Sequence, residues 1–358
     1  MSASLRVCLV ASARFPVREP FMGGLEAQTH ALATSLRNHG HEVTLFAAPG
    51  SDPELGVHEL PVATYAPSPV ARRDVGAPPA QWMQEHHAYL DLMLGLADGR
   101  HGPFDVVHDN SLHHLPVAMS RSLDVPVVST LHTPPVPWLE SAAVLDDGHV
   151  HFVAVSHYLA DAWRDSVSAA VVRNGVDTDF WAEGPGGRTL VWTGRLVPEK
   201  APHEAVLAAR RADMDLALVG PLHDAAYFER EVRPLLDDRR RYLGHASARQ
   251  VRELLQHAAA ALVTPAWDEP FGLVAAEAMS CGTPVAAYAR GALPELVAEG
   301  TGVLATAGDV DALAQAARRA SELDRRPARQ HAVEHFSITR MVAEYETVYH
   351  RVRRRAAA

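Results

Sequence analysis

The chain has 358 residues, 47% of them apolar, and a formal net charge of −10. That length exceeds one ordinary core and suits two domains, and the negative balance argues against a general nucleic-acid binder, which carries a basic stripe. No apolar run reaches the roughly 18 residues of a membrane span, and "MSASLRVCLVASA" runs into a strand-like segment without a cleavable-signal pattern, so a cytoplasmic protein with no stable membrane insertion is expected.

The first half alternates short apolar runs with helical patterns. "LRVCLVA" (Leu5 to Ala11) reads as a buried strand. "GGLEAQTHALATSLRNHG" follows as a helix, with Leu25, Leu32 and Leu36 on one face and Gly40 as the stop. "EVTLFA", "FDVVH", "VPVVSTLH", "HFVAVS" and "AAVVRNG" continue the strands. Segments this apolar, separated by helices, imply a parallel sheet covered on both faces. Around "DTDFWAEGPGGR" (Asp177 to Arg188) glycine and proline cluster as in a linker and hinge. The alternation then restarts with "TLVWTG", "LALVG", "RYLGH", "AALVTP", "TPVAAY" and "GVLAT". The expected fold is α/β: two doubly wound, Rossmann-like parallel-sheet domains facing a cleft, over 1–180 and 181–337. A last helix, in 338–358, carries Tyr345 and Tyr349 four apart on one face. Its basic end, "RVRRR", suits the negative end of the helix dipole. Cys8 and Cys281 sit in small apolar settings and read as buried thiols. Of 33 basic residues only Lys200 is a lysine, a bias that suggests a GC-rich bacterial source.

Ligands of open parallel sheets bind beyond the C-terminal strand ends. One such end is "WDEPFGLVAAEAMSCGTPVAAY", where Glu269 and Glu277 stand eight positions apart. The spacing predicts a helix with Pro270 near its first turn and Gly282 as its end. The amides of Phe271, Gly272 and Leu273 then form an anion site suited to phosphate, with Gly272 permitting close approach. A retaining hydrolase pair sits about 5 Å apart, whereas eight helical residues span about 12 Å. The two carboxylates suit opposite ends of one elongated anion better, though a loop acid and a surface helix residue fit the spacing too.

"EPFGLVAAE" resembles the two-glutamate signature of retaining GT-B glycosyltransferases, in particular glycosyltransferase family 4. "GGLEAQTHALATSLRNHGHEVTLFA", "FVAVSHYLADAW", "RNGVDTDFW", "WTGRLVPEKAPH" and "EAMSCGTPVAAY" match further stations in the family order, over almost the whole chain. The resemblance implies that Glu269 binds donor-sugar hydroxyls, Glu277 takes the ribose diol, and Arg195 and Lys200 clamp the donor diphosphate. It places Gly23 and Gly24 against the donor phosphates from the other domain, and His132 near the sugar's 6-position and reaction centre. It also implies that the last helix crosses back onto the N-terminal domain. Where the family has glycine after the lysine, this chain has Ala201-Pro202, which predicts a stiffer loop.

The expected activity is retaining, metal-independent transfer of a hexose from a nucleoside-diphosphate sugar, UDP-glucose-like, to a small-molecule or glycan acceptor. No cofactor and no metal ligand is expected beyond this co-substrate. The Asp-x-Asp triplets at Asp177, Asp213 and Asp309 read as chance, and His86, His87, His113 and His114 as solvated or packed. The least patterned segment, Thr64 to Met93, suits an acceptor wall or a surface excursion. The alternatives are a nucleotide-sugar epimerase of similar fold and a non-catalytic nucleotide-sugar-binding protein.

Overall fold

The computed structural model describes residues 4–356. Among the described residues thirteen strands form two sheets. The first sheet holds β1 (Arg6–Val10), β2 (Glu42–Ala47), β3 (Val57–Glu59), β4 (Val106–Asp109), β5 (Val127–Leu131), β6 (Val150–Ala154) and β7 (Ala170–Val171), in the order β3-β2-β1-β4-β5-β6-β7. The second holds β8 (Thr189–Thr193), β9 (Leu216–Val219), β10 (Arg240–Tyr242), β11 (Ala258–Val263), β12 (Val285–Tyr288) and β13 (Gly302–Ala305), in the order β10-β9-β8-β11-β12-β13. Every pairing is parallel, with Val7 flanked by Val43 and Val106, and Leu262 by Trp192 and Ala286. The central strands are buried on both faces, as their unbroken apolar runs require. Both sheets therefore reverse direction once, between β1 and β4 and between β8 and β11.

The change of sheet falls between Val171 and Thr189, but the glycine-rich stretch there is not a loose hinge. Asp177 Oδ1 accepts the amides of Asp179 and Phe180, both at 3.0 Å. Trp181 is buried, and its carbonyl accepts Ser280 Oγ (2.8 Å) and Arg329 Nη1 (3.0 Å). A Cβ on Gly184 would stand 2.3 Å from Gln256 Cβ, and one on Gly187 would stand 2.1 Å from the His257 carbonyl oxygen. These glycines permit close packing onto the second sheet's layer, so composition alone misreads them. The chain crosses between the two halves at Val176 and again at Ser337, and the crossings touch. Val176 N–H donates to Phe336 O (2.7 Å) and Ile338 N–H to Val176 O (2.8 Å).

The last helix, Ile338–Ala356, packs on the first sheet. Met341, Val342, Tyr345, Val348, Tyr349 and Val352 share a core with Val7, Leu9, Leu32 and Leu36. At roughly 1.5–3 kcal/mol for each large apolar side chain buried, the helix is integral to that domain. Tyr345 and Tyr349 do share a face: their hydroxyls meet Thr130 Oγ1 (3.0 Å) and His108 Nδ1 (2.6 Å). The basic end stays helical, with Arg353 paired to Asp105 at 3.4 Å. Cys8 and Cys281 are free and buried, and burial pushes both thiols up, Cys281 to about 12. The weakly patterned segment hides a helix, Ala80–Ala97, which buries Ala88, Tyr89, Leu92 and Met93 while Trp82 faces solvent. Among the described residues no helix is long and apolar enough to cross a membrane.

Candidate active site between the two sheets

At each reversal of strand order the outgoing loops diverge and leave a crevice. Arg195 and Lys200 follow β8, and Glu269 and Gly272 follow β11. Facing them, Gly23 and Gly24 end the long loop after β1, Asn110 follows β4, and His132 follows β5. Two sheets of like topology thus present their switch points to one another.

The lysine loop is held from beneath. Trp192 Nε1 donates to Thr264 Oγ1 (2.9 Å), and that hydroxyl donates to the carbonyls of Lys200 (2.8 Å) and Ala201 (3.1 Å). Lys200 closes a one-turn 3₁₀ helix, Pro198–Lys200, and Ala201 then turns left-handed at φ +45°. A glycine would adopt that conformation freely, so the alanine here keeps the turn at a strain of about 1–2 kcal/mol. The loop is unusual in residue, not in the geometry a glycine would serve.

Lys200 Nζ donates to Glu269 Oε2 at 2.5 Å, and Trp267 Nε1 donates to the same oxygen at 3.3 Å. The ammonium also lies 5.2 Å from the centre of the Trp267 ring. The structure therefore joins Lys200 to Glu269 rather than to Arg195. Arg195 instead has Nη2 3.9 Å from Glu199. Its charge opposes the burial that raises the Glu26 carboxyl. A Cβ on Gly23 would lie 3.1 Å from Glu26 Oε2 and 3.9 Å from Arg195 Nε, and one on Gly24 would lie 3.7 Å from the Leu273 side chain. Gly23 is extended (φ −165°), so side-chain volume, not backbone strain, is what its position excludes.

The helix expected to start at Phe271 starts at Leu273 and runs to Ser280. Gly272, at φ +99°, is its N-cap, and a Cβ there would come 2.8 Å from Leu293 Cδ2. Phe271 turns inward and meets the Phe336 ring edge-on at 5.9 Å. The Phe271 amide thus precedes the helix, and the unpaired first-turn amides begin at Leu273. Glu277 lies in the second turn, half-buried, and burial pushes its carboxyl up to about 8. His132 is half-buried too, and burial pushes its imidazole down to about 3, so it is neutral at pH 7. Its Nε2 is 2.9 Å from Asn110 Oδ1. With the carboxamide oxygen as acceptor the ring proton sits on Nε2, leaving the Nδ1 lone pair.

Asn110, Trp267 and Glu26 were missed by sequence reasoning, as were two residues that stitch the halves together. Ser156 Oγ donates to Pro270 O at 2.6 Å, one residue from Glu269. Glu295 accepts the amides of His157 (3.1 Å) and Tyr158 (2.9 Å) across the same seam. Ser156 is legible as a helix N-cap; its partner, 114 residues on, is not. The Asp-x-Asp triplets are engaged locally: Asp177 as above, Asp213 with Arg239 (2.6 Å), and Asp309 capping the helix Val310–Ser321.

With this geometry in view, comparison with known proteins is decisive. The family description "Glycosyltransferase Family 4" matches residues 22–180, and "Glycosyl transferases group 1" matches 177–334. The chain is 31% identical to a Mycobacterium tuberculosis glycogen synthase, over 83% of this chain and 82% of that one. The chain belongs to glycosyltransferase family 4. It is a GT-B glycosyltransferase that uses a nucleotide-sugar donor. Sucrose-phosphate synthase from Thermosynechococcus elongatus shares the fold of this glycosyltransferase at TM-score 0.80, with 19% identity over 99% of this chain and 100% of that one. Anabaena HepE, solved with UDP-glucose, shares it at TM-score 0.74, with 19% identity over 96% of this chain and 99% of that one.

Proposed function

We propose that this glycosyltransferase transfers a hexose, UDP-glucose foremost, to a small-molecule or glycan acceptor with retention of anomeric configuration and without a metal ion at the diphosphate. The observation that carries the reading is the Lys200–Glu269 pair at the β8/β11 switch point, beside left-handed Gly272. A donor entering there exchanges partners within the pair. Its diphosphate takes Lys200, together with Arg195 and the amides of Gly272 and Leu273, and its sugar hydroxyls take Glu269. Cations fixed where the leaving diphosphate gathers charge stabilise the transition state more than the bound donor. Glu277 accepts the ribose hydroxyls. His132, neutral and turned by Asn110, accepts a hydrogen bond from the sugar's 6-hydroxyl.

No carboxylate is assigned as a nucleophile, which favours displacement on one face. The acceptor oxygen bonds to C1 as the C1–phosphate bond breaks, and the acceptor proton passes to the departing phosphate oxygen. HepE's UDP-glucose complex makes that donor the first to try. Thermal shift against UDP-, GDP- and dTDP-sugars selects the donor, and NMR of the product gives the anomeric configuration. An inverted product overturns the mechanism. Donor isomerisation without acceptor favours an epimerase, and binding without any sugar release a non-catalytic binder. Release of sugar from the donor alone persists in excess EDTA; loss restored by magnesium or manganese overturns the metal-free diphosphate site.

A further inference from the structure

The half built on the first sheet holds a second cluster that this chemistry does not use. His86, on the helix Ala80–Ala97, meets His113 and His114, the N-cap and first residue of the short helix His114–Ala118. One ring nitrogen from each lies within 4.8 Å of the other two. The ring centres are 4.4 Å apart for His113 and His114, 5.8 Å for His86 and His114, and 6.0 Å for His86 and His113. Three imidazoles on one tetrahedral zinc, at 2.0–2.1 Å each, hold their nitrogens about 3.4 Å apart. Contracting this cluster to that size moves each nitrogen inward by about 1 Å or less, and the stacked rings, 29° apart for His113 and His114 and for His86 and His114, must also turn so that their in-plane lone pairs converge; the three side chains are only partly buried.

We propose that His86, His113 and His114 form a binding site for one divalent transition-metal ion, zinc foremost, distinct from the donor site. An all-imidazole donor set suits zinc, nickel or copper and disfavours magnesium and calcium. A neutral imidazole offers a ring-nitrogen lone pair to such an ion. The charged group beside them, Arg14, is paired with Glu85 at 3.5 Å. The scaffold is firm. The Tyr89 ring stacks on His113 at 4.4 Å, and its hydroxyl is fixed by Ala11 O and Ala13 N, both at 2.8 Å. Leu112, just before the pair, is held left-handed at φ +63°, a conformation that leucine adopts only when its surroundings impose it. His113 Nδ1 accepts the Leu115 amide at 3.2 Å, so capture through Nε2 keeps that bond and capture through Nδ1 displaces it. The bound ion ties the helix Ala80–Ala97 to the β4 loop and leaves a fourth position for water or an acceptor oxygen.

The test needs no turnover. Full-length protein stripped with chelator is titrated with zinc against a chromophoric competitor, and with cobalt for its visible spectrum. One equivalent binds, with the intense cobalt absorption of a four-coordinate site. His86→Ala and His114→Ala each weaken binding by at least about 10–100-fold, the loss typical of even an outer-shell change, while His331→Ala does not. Circular dichroism confirms folding, and donor hydrolysis by His86→Ala stays at the wild-type level. Zinc binding unchanged in both variants, or no stoichiometric binding by the wild type, overturns the site. Zinc binding without donor hydrolysis by the wild type would instead remove the transferase reading and leave this site standing.

Discussion

The loops after β8 and β11 and the loops after β1, β4 and β5 occupy equivalent places in two sheets of like strand order, yet they are built differently. On the donor side the side chains are charged and already partnered: Lys200 with Glu269, and Trp267 with both. Left-handed turns at Ala201 and Gly272 fix them. On the first sheet's side, which we propose faces the acceptor, neutral and aromatic groups stand beside the Arg14–Glu85 pair. His132 and His113 are held uncharged by burial, and Trp82 and Trp138 stand 51% and 63% exposed. One half is organised to meet a fixed charge, the other to offer surface. Changes on the donor side should therefore damage turnover with every acceptor, and changes on the acceptor side should discriminate among acceptors.

The largest effect tests the charge. Lys200→Ala keeps its fold and loses about 10²–10³ in turnover, the usual loss of one transition-state electrostatic contact. Lys200→Arg recovers only part of it, since a planar fork does not replace a compact ammonium. Steady-state kinetics with circular dichroism decides, and a folded Lys200→Ala at near-wild-type turnover breaks the assignment. Next, Gly272→Ala forces a Cβ against Leu293 at φ +99° and should lower stability by about 1–3 kcal/mol, read by urea unfolding; an unchanged midpoint would show that the turn relaxes.

Acid sharpens the other side. His132 is held below its unfolded value of about 6.5, so its contribution is full above that pH and is lost as pH falls toward 3. The limiting slope is about 1.4 kcal/mol per pH unit for one such group. His132→Gln should flatten the fall in melting temperature between pH 6.5 and 5, and equal slopes would remove the buried neutral ring from the account. Trp138→Ala should raise acceptor KM, by about tenfold for an acceptor that stacks on the ring with about 1–2 kcal/mol, and leave donor hydrolysis alone; an equal loss in both assays erases the contrast. The smallest effect is a gain. Ala201→Gly relieves a left-handed alanine and should stabilise by about 1 kcal/mol or less, measured by thermal unfolding; destabilisation would mean that packing of the buried methyl outweighs strain.

What was legible in the sequence is what acts locally. Apolar runs marked the strands, Gly40 marked the end of the first long helix, and the i,i+4 spacing put Tyr345 and Tyr349 on one face, while the return of their helix to the first sheet was implied only by the family resemblance. Contacts across the chain were hidden. Lys200 and Glu269 are 69 positions apart, and nothing in either motif tells that they bond. The helix start slipped two residues because Gly272 turns left-handed, and a proline two residues upstream mimicked a first turn. The helix Ala80–Ala97 went unseen because Glu85 and Gly95 break the apolar pattern of its buried face. The glycines at 184 and 187 looked like freedom and proved to be contact.

The bridge between Val176 and Ser337 changes how the architecture is counted. Two backbone hydrogen bonds join the points where the chain leaves the first half and where it comes back. By connectivity the whole donor half is an insert, its two ends side by side, placed between the seventh strand of the first domain and that domain's own final helix. The first domain is thus begun before the donor half is made and completed only after it. Until the chain past Ser337 has emerged, Val7, Leu32 and Leu36 lack Met341, Tyr345 and Tyr349 to pack against. The donor half, by contrast, has every strand it needs before that last helix is made.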